Sequence, residues 1–195
     1  DAGKHILIEK PLAMTAEEAE AVVSYCKGKN VQIAVGFAMR FGSGVQAMKR
    51  AVSRGKIGNV VSAYAQFTCW YPEMENAWRQ KKALAGGGAL MDSGHHQVYQ
   101  SLYLLGCPAA LHAFKSRLVL TGMEGEDVAH IQLQYADGKL GSIFQSWTNN
   151  HGGAVDGIRI VGTEGSLEVS DALYVNGQRR ETDTDYGHSF VGQAR

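Results

Sequence analysis

Apolar and polar positions change their rhythm along the chain, and each change marks a different kind of element. The first apolar run, Ile6-Leu7-Ile8, is unbroken, as in strands buried on both faces of a parallel sheet. Thr15-Ala16-Glu17-Glu18 then reads as a capping box, whose Thr and Glu side chains satisfy the free amides of a helix start. Ala16, Ala19, Val22, Val23 and Cys26 recur at helical spacing, and Gly28 is placed to supply a left-handed stop. A second short apolar run, Val31 to Phe37, follows. Residues 1–37 therefore predict strand, helix, strand, the crossover unit of a doubly wound α/β domain, with only its tail end present.

From Arg40 the texture changes. A helix is predicted over about Val45 to Ser53, ending at Gly55-Lys56-Ile57-Gly58. Val61, Ala63, Ala65, Phe67 and Cys69 then alternate with polar neighbours, the period of two of a strand with one covered face. A loop holding Trp78-Arg79 leads to Gly86-Gly87-Gly88 and a helix up to Leu105-Gly106. Beyond it the pattern is all strand, over about 110–120, 127–135, 139–148, 157–162, 166–170 and 172–175. Asp137-Gly138 and Asn176-Gly177 are hairpin dipeptides, since both residues of each can take positive φ, and Thr163-Glu164-Gly165 is another turn. Short consecutive strands joined by tight turns predict a largely antiparallel sheet, with the helix after Gly88 available to cover one face.

Composition then removes whole classes of function. The 195 residues hold 19 Lys+Arg against 19 Asp+Glu, which removes the bulk electrostatic case for binding a nucleic acid or an anionic membrane, since both need a basic surface to displace counterions. Hydrophobic residues make up 45%, which excludes disorder. No stretch approaches the roughly 18 uninterrupted apolar residues of a membrane span. Cys26, Cys69 and Cys107 are odd in number and lack a CxxC, so they make neither a disulfide framework nor a zinc ribbon and point to a reducing compartment, the cytoplasm. The chain begins Asp1-Ala2-Gly3 in place of an initiator Met, and Ser189, Phe190, Val191 and Ala194 read as the first turns of a helix cut short. The expectation is an internal piece of a longer protein. An open sheet truncated in this way should leave an apolar face and an unpaired edge, and so associate.

Candidate chemistry concentrates between Gly86 and His96. On one continuous helix, Met91, His95, Val98, Leu102 and Leu105 form a core stripe, and Asp92, His96, Tyr99 and Tyr103 form the stripe beside it. Asp92 and His96 at i,i+4 then converge, and a carboxylate-tuned imidazole can act as a general base near neutral pH; an exposed ion pair fits the same spacing. Gly86 to Gly88 suits either a hinge or a close backbone approach to a ligand. His95, on the core stripe, is better read as a buried, backbone-satisfied side chain, and adjacent His95-His96 diverge too far for a metal site. Glu9-Lys10-Pro11 follows a buried parallel strand, where ligands of doubly wound sheets bind, although a solvated Lys in a turn fits as well. Trp78-Arg79 is either an aromatic wall with an anion clamp or a packed Trp with a surface Arg, and Arg40-Phe41 is equally open. Asn149-Asn150-His151 is a polar loop after a strand.

Together these segments resemble the glucose-fructose oxidoreductase and inositol dehydrogenase family, written Gfo/Idh/MocA. Gly3-Lys4-His5-Ile6-Leu7-Ile8-Glu9-Lys10-Pro11 is similar to its GKHV-x-x-EKP segment, and Gly36-Phe37 with Arg40-Phe41 to its GF-x-x-RF segment. Gly55-Lys56-Ile57-Gly58, Trp78-Arg79, Gly86-Gly87-Gly88-Ala89-Leu90-Met91-Asp92-x-Gly94-x-His96 and Gly162-Thr163-Glu164-Gly165 match further motifs, so the resemblance covers nearly the whole chain. It implies the C-terminal part of a dinucleotide-binding Rossmann domain in residues 1–37 and, in residues 38–195, a substrate domain on an open, mainly antiparallel β-sheet. It implies an NAD or NADP cofactor, a small sugar- or polyol-like substrate, and a homo-oligomer. By carry-over, Lys10 hydrogen-bonds the substrate hydroxyl, His96 removes its proton, and Asp92 orients the substrate and steadies charge. Glu9, Lys10, Pro11, Arg40, Trp78 and Arg79 then fall on the cofactor side, and Lys10, Asp92, His96 and Tyr99 on the substrate side. Two departures stand out: Tyr99 replaces an Asp that holds polyol hydroxyls in many relatives, and the Gly-x-Gly-x-x-Gly turn is absent. The same fold also serves dinucleotide-responsive regulators and NAD-dependent glycosidases, which are the alternatives to a dehydrogenase.

Overall fold

The structure, a computed structural model, describes residues 2–72, 77–149 and 156–180. Strands β1 (Ile6–Ile8) and β2 (Ile33–Val35) pair in parallel and are joined by helix α1 (Ala16–Gly28). The capping box forms as the sequence predicts: Glu18 N–H donates to Thr15 Oγ1 at 3.2 Å, and Thr15 N–H donates to the Glu18 carboxylate at 3.3 Å. The helix ends at Gly28, but not through a left-handed glycine. Gly28 is itself helical, and the left-handed position is Asn30, with φ 54°, a conformation that Asn tolerates through local hydrogen bonding. Strand β1 is not buried on both faces either: Leu7 is 62% exposed, with β2 its only sheet partner among the described residues.

A 3-10 turn (Ala38–Phe41) leads into α2 (Ser43–Ser53) and β3 (Val60–Thr68). Next come three helical pieces, α3 (Lys82–Ala85), α4 (Ala89–Asp92) and α5 (His95–Leu105). The remaining strands are β4 (Ala110–Ser116), β5 (Val128–Gln134), β6 (Leu140–Ser146), β7 (Gly157–Gly162), β8 (Ser166–Val169), β9 (Leu173–Val175) and β10 (Gln178–Arg180). They form an 8-stranded sheet in the order β10-β9-β8-β7-β3-β6-β5-β4, antiparallel except for the β3/β6 pair. The mixed α/β class with an open, mainly antiparallel sheet is therefore the one the pattern predicts. Strand β10, all polar, has no apolar signature and forms because the Asn176-Gly177 hairpin folds it back on β9. There both residues are left-handed (φ 52° and 76°), whereas at Asp137-Gly138 only Gly138 is, at 89°.

One face of the sheet carries the core. Ile158, Ala65, Ile143 and Ile131 lie in one registered row across four strands and pack with Met48 of α2 and Leu104 of α5. Each large aliphatic side chain buried in this way contributes about 1.5–3 kcal/mol. The opposite face carries Glu168, Arg159, Tyr64, Ser142, Gln132 and His112 in a registered row. That row is polar and aromatic, while Phe114 of edge strand β4 and Leu140 of β6, on the same face, are exposed apolar groups. Two sequence motifs turn out to clamp each other. Gly58 (φ 68°) has no room for a side chain, since a Cβ would lie 2.2 Å from Thr163 Oγ1. Asn59 N–H donates to that same oxygen, and Thr163 N–H returns a bond to Asn59 O.

Candidate active site

The site is built on α4, and α4 is held from behind by a loop the sequence did not single out. Asp127 is fully buried, and its carboxylate accepts the backbone N–H groups of Leu118, Val119 and Leu120. That pins the β4–β5 connection, which sends Leu120 and Met123 into a second apolar cluster with Ala89 and Trp147. It also presents Glu126 to the start of α4, where Ala89 N–H donates to Glu126 O at 2.8 Å and Leu90 N–H to Glu126 Oε1 at 3.0 Å. A Cβ on Gly88 would lie 2.0 Å from Glu126 O. The third glycine of the triplet therefore serves a backbone-to-backbone contact, which is neither of the two uses its sequence suggests.

The helix predicted from Gly88 to Leu105 is broken at Ser93-Gly94. Gly94 N–H reaches back to Ala89 O, across five residues, and His96 N–H to Ser93 O, across three, so a wide turn is followed by a tight one. A side chain at Gly94 would meet Leu90 O at 2.6 Å. Trp147, just past β6, donates its indole N–H to Ser93 Oγ at 2.6 Å and fixes the break. The change of phase moves the buried face of α5. Gln97, Gln100, Ser101 and Leu104 point inward, while Leu102, expected in the core stripe, is 40% exposed.

The break also redirects Asp92. Its carboxylate takes Arg79 Nε at 3.2 Å and lies 3.8 Å from Lys10 Nζ, while its backbone oxygen accepts Lys10 Nζ at 2.5 Å. Lys10 stands at the carboxyl end of β1, before a cis Lys10-Pro11 bond. Asp92 thus pairs with two cations in place of gripping His96 as the i,i+4 spacing suggested. Burial pushes the His96 imidazole down to about 4; the Lys10 and His95 charges act in the same direction, and Asp92 only partly opposes them. Its Nδ1 is buried with no hydrogen-bond partner among the described residues. His95 is lowered as well, by burial, with the Met91 backbone opposing. A neutral imidazole beside a tethered ammonium can take a proton from a hydroxyl whose oxygen the ammonium stabilises.

Arg40 and Tyr99 form a separate group. Tyr99 stacks on Phe37 with ring centroids 4.1 Å apart, and Arg40 Nη1 donates to the Tyr99 hydroxyl. The Arg40 guanidinium lies 4.7 Å from the Tyr103 ring centroid and 5.1 Å from that of Phe41, so it is engaged by aromatic rings and is not a free cation. Glu9 and Trp78 are exposed, and Trp78 carries the Arg79 guanidinium 4.6 Å from its ring centroid. Asn149 is tied back to Thr68 Oγ1; Asn150, His151 and residues 181–195, with their suggested helix start, lie outside the described residues. Sequence reasoning missed Ser93, Trp147, Glu126 and Asp127. Only Trp147 left a signal: it continues the alternation of Ile143 and Gln145 on the covered face of β6.

Residues 45–168 match the model of the GFO/IDH/MocA C-terminal domain, which is more than half of the chain. The chain belongs to the GFO/IDH/MocA family. Residues 1–37 match the family's NAD-binding Rossmann-fold model. Among family members of named activity, levoglucosan dehydrogenase of Pseudarthrobacter phenanthrenivorans is 32% identical over 193 residues, covering 86% of this chain and 49% of the relative. An NADP+-dependent scyllo-inositol 2-dehydrogenase of Bacillus subtilis is 32% identical over 142 residues, covering 73% and 38%. A levoglucosan dehydrogenase structure with NADH and levoglucosan superposes with TM-score 0.87 at 26% identity, over 99% of this chain and 63% of that one. An inositol dehydrogenase homologue from Azotobacter vinelandii with NAD+ gives 0.82 at 25%, over 97% and 54%. The chain spans about half the length of the curated relatives it matches. Among the described residues, no helix is long and apolar enough to cross a membrane.

Proposed function

We propose that this chain carries the substrate side of an NAD(P)-dependent oxidoreductase that moves a hydride between a nicotinamide and a sugar, polyol or related hydroxy/keto compound. The observation that carries the reading is the Lys10 ammonium that Asp92 holds in place through its backbone oxygen and carboxylate, beside the half-buried imidazole of His96, which burial and the Lys10 charge favour in its neutral form. The carboxyl ends of both parallel strands meet the α4–α5 segment, through Lys10 on Asp92 and Phe37 on Tyr99. That is where ligands of doubly wound sheets bind.

The donor set fits one end of a dinucleotide. Lys10, Trp78 and Arg79 would meet the nicotinamide end, with Glu9 and Pro11 at its rim. No Gly-x-Gly-x-x-Gly turn for the pyrophosphate occurs in the 195 residues. When bound, the nicotinamide supplies the hydride acceptor or donor. His96 takes the proton of the substrate hydroxyl, and Lys10 donates a hydrogen bond to the same oxygen as negative charge develops there. Asp92 keeps Lys10 and Arg79 in position. Arg40 braces Tyr99 against Phe37 and so supports the substrate wall. The site belongs in a reducing compartment, the cytoplasm, in keeping with three free cysteines. Copies of the chain pair through the exposed edge strand β4, and sedimentation of the native protein tests that.

Replacing His96 by Ala in the native polypeptide should remove most turnover of sugars and polyols and leave NAD(P) binding intact. Unaltered turnover would discard the assignment.

A further inference from the structure

A cavity of about 230 Å³ lies between the N-terminus of α2, the inner face of α5 and the ends of β3 and β7, and the chemistry above does not use it. Its lining brings together Gly42 and Gly44 at the start of α2, Gln97 and Gln100 of α5, Phe67 of β3 and Asp156. Three features of this lining call for a ligand. Gln97 is 4% exposed, yet its Oε1 accepts no hydrogen bond among the described residues. Leaving such an amide oxygen unpaired in the interior costs on the order of 1–3 kcal/mol. The N-terminus of α2 opens on the cavity through Gly42, which as N-cap has no side chain to satisfy the first N–H groups of this 11-residue helix. Asp156 takes Thr68 N–H and Thr68 Oγ1 on its Oδ1, and among the described residues Oδ2 is left to accept.

The charge and polarity of the lining select the ligand. No Lys or Arg lines the cavity among the described residues, and the one full charge there is the Asp156 carboxylate. An anionic group is therefore repelled. Unpaired acceptors (Gln97 Oε1 and Asp156 Oδ2) face donors (the α2 N–H groups), and a hydroxyl is the group that can satisfy both kinds at once. None of Lys10, Asp92 and His96 lines the cavity, but its lining is joined to them along the chain. Gln97 follows His96 in α5, and Thr68, which binds Asp156, precedes Cys69, a thiol that feels both Asp156 and Asp92.

We propose that this cavity is a distal subsite holding the uncharged, hydroxyl-bearing end of the substrate, a proposal that rests on the oxidoreductase reading, with Gln97 and Asp156 as its acceptors. It selects neutral sugars and polyols over sugar acids.

The test uses the native polypeptide, with Gln97→Leu and Asp156→Asn beside it, each checked for unchanged melting. Binding of two sugar pairs, glucose with glucuronate and galactose with galacturonate, is followed by saturation-transfer NMR, and turnover separately by NAD(P)H absorbance. The wild type should bind a neutral sugar at least about tenfold more tightly than its acid; Gln97→Leu should weaken that binding about tenfold, and Asp156→Asn should narrow the neutral-to-acid preference by a similar factor. Equal binding of sugar and acid, no binding of either, or affinities in both variants within twofold of wild type would overturn the subsite. Failure of the oxidoreductase reading looks different: no NAD(P)H forms with any sugar, while the binding pattern and its response to the two substitutions persist.

Discussion

Trp147 donates its indole N–H to the hydroxyl of Ser93 at 2.6 Å, so a fully buried residue just past β6 fixes the turn that separates Asp92 from His96. Replacing Ser93 by Ala leaves that N–H unpaired in the interior and should cost about 1–3 kcal/mol in urea unfolding. In Ser93→Ala/Trp147→Phe the loss should fall short of the sum of the single losses, because one bond is removed only once. Strict additivity would show that the two side chains are not coupled.

Gly88 sits with its Cα against the Glu126 backbone, where a Cβ would be 2.0 Å from a carbonyl oxygen. Gly88→Ala must push the β4–β5 connection away or unwind α4, and a loss of roughly 2–4 kcal/mol is expected. Gly138→Ala, with open space around the Cβ but φ 89°, should cost only its backbone strain, about 1–2 kcal/mol. Thermal melts of the two variants check the order.

With His96 as the base proposed above, the activity should have a defined acid limb. Proton abstraction needs the neutral ring, so kcat/KM should fall as pH drops through about 4. Lys10 helps to hold that value down, so Lys10→Met should move the limb upward while lowering the plateau. Stability follows the same proton. Between the ordinary His value of about 6.5 and about 4, the unfolded chain binds a proton that the folded ring refuses. Stability should therefore be full above that window and decline on acidification through it, with little further loss from this group below it. His96→Gln should flatten the slope, and the lowered His95 should keep it from vanishing. Denaturant unfolding measured from pH 8 to pH 4 reads both effects.

Cys69 should be a slow thiol. Burial, with Asp156 and then Asp92 acting in the same direction, pushes it up to about 12, so almost none is thiolate at neutral pH. Iodoacetamide should label the exposed Cys107 first and Cys69 at least about a hundredfold more slowly. Asp156→Asn should speed Cys69 measurably. Comparable labelling of both thiols in the wild type would contradict this placement of the carboxylates.

The contrast between α1 and the α4–α5 segment shows where sequence was enough. Thr15 and Glu18 act within one turn, so their capping box is written in four adjacent residues. The alternation of β3 and β5 and the Asn176-Gly177 hairpin are likewise local, with periods and backbone preferences that the residues carry themselves. The family, too, was legible, because EKP and D-x-G-x-H are short and ordered. The sequence predicts one helix from Gly88 to Leu105 because the apolar period runs through Ser93-Gly94 without interruption. What breaks it is Trp147, 54 positions later.

The sequence by itself determined most of the element types, the alternation of β3 and β5, the zero net charge and the presence of Lys10, Asp92 and His96. Only the tertiary structure decided what those residues do to each other. Asp92 turns to Lys10 and Arg79 because the helix phase shifts at Gly94, and His96 stays neutral because burial and the Lys10 charge outweigh a carboxylate that faces elsewhere. The inward turn of Gln97 and Gln100 has the same origin. Local preferences act over a turn or a strand pair, whereas desolvation and charge pairing depend on groups that meet only when the sheet and the β4–β5 connection close on α4.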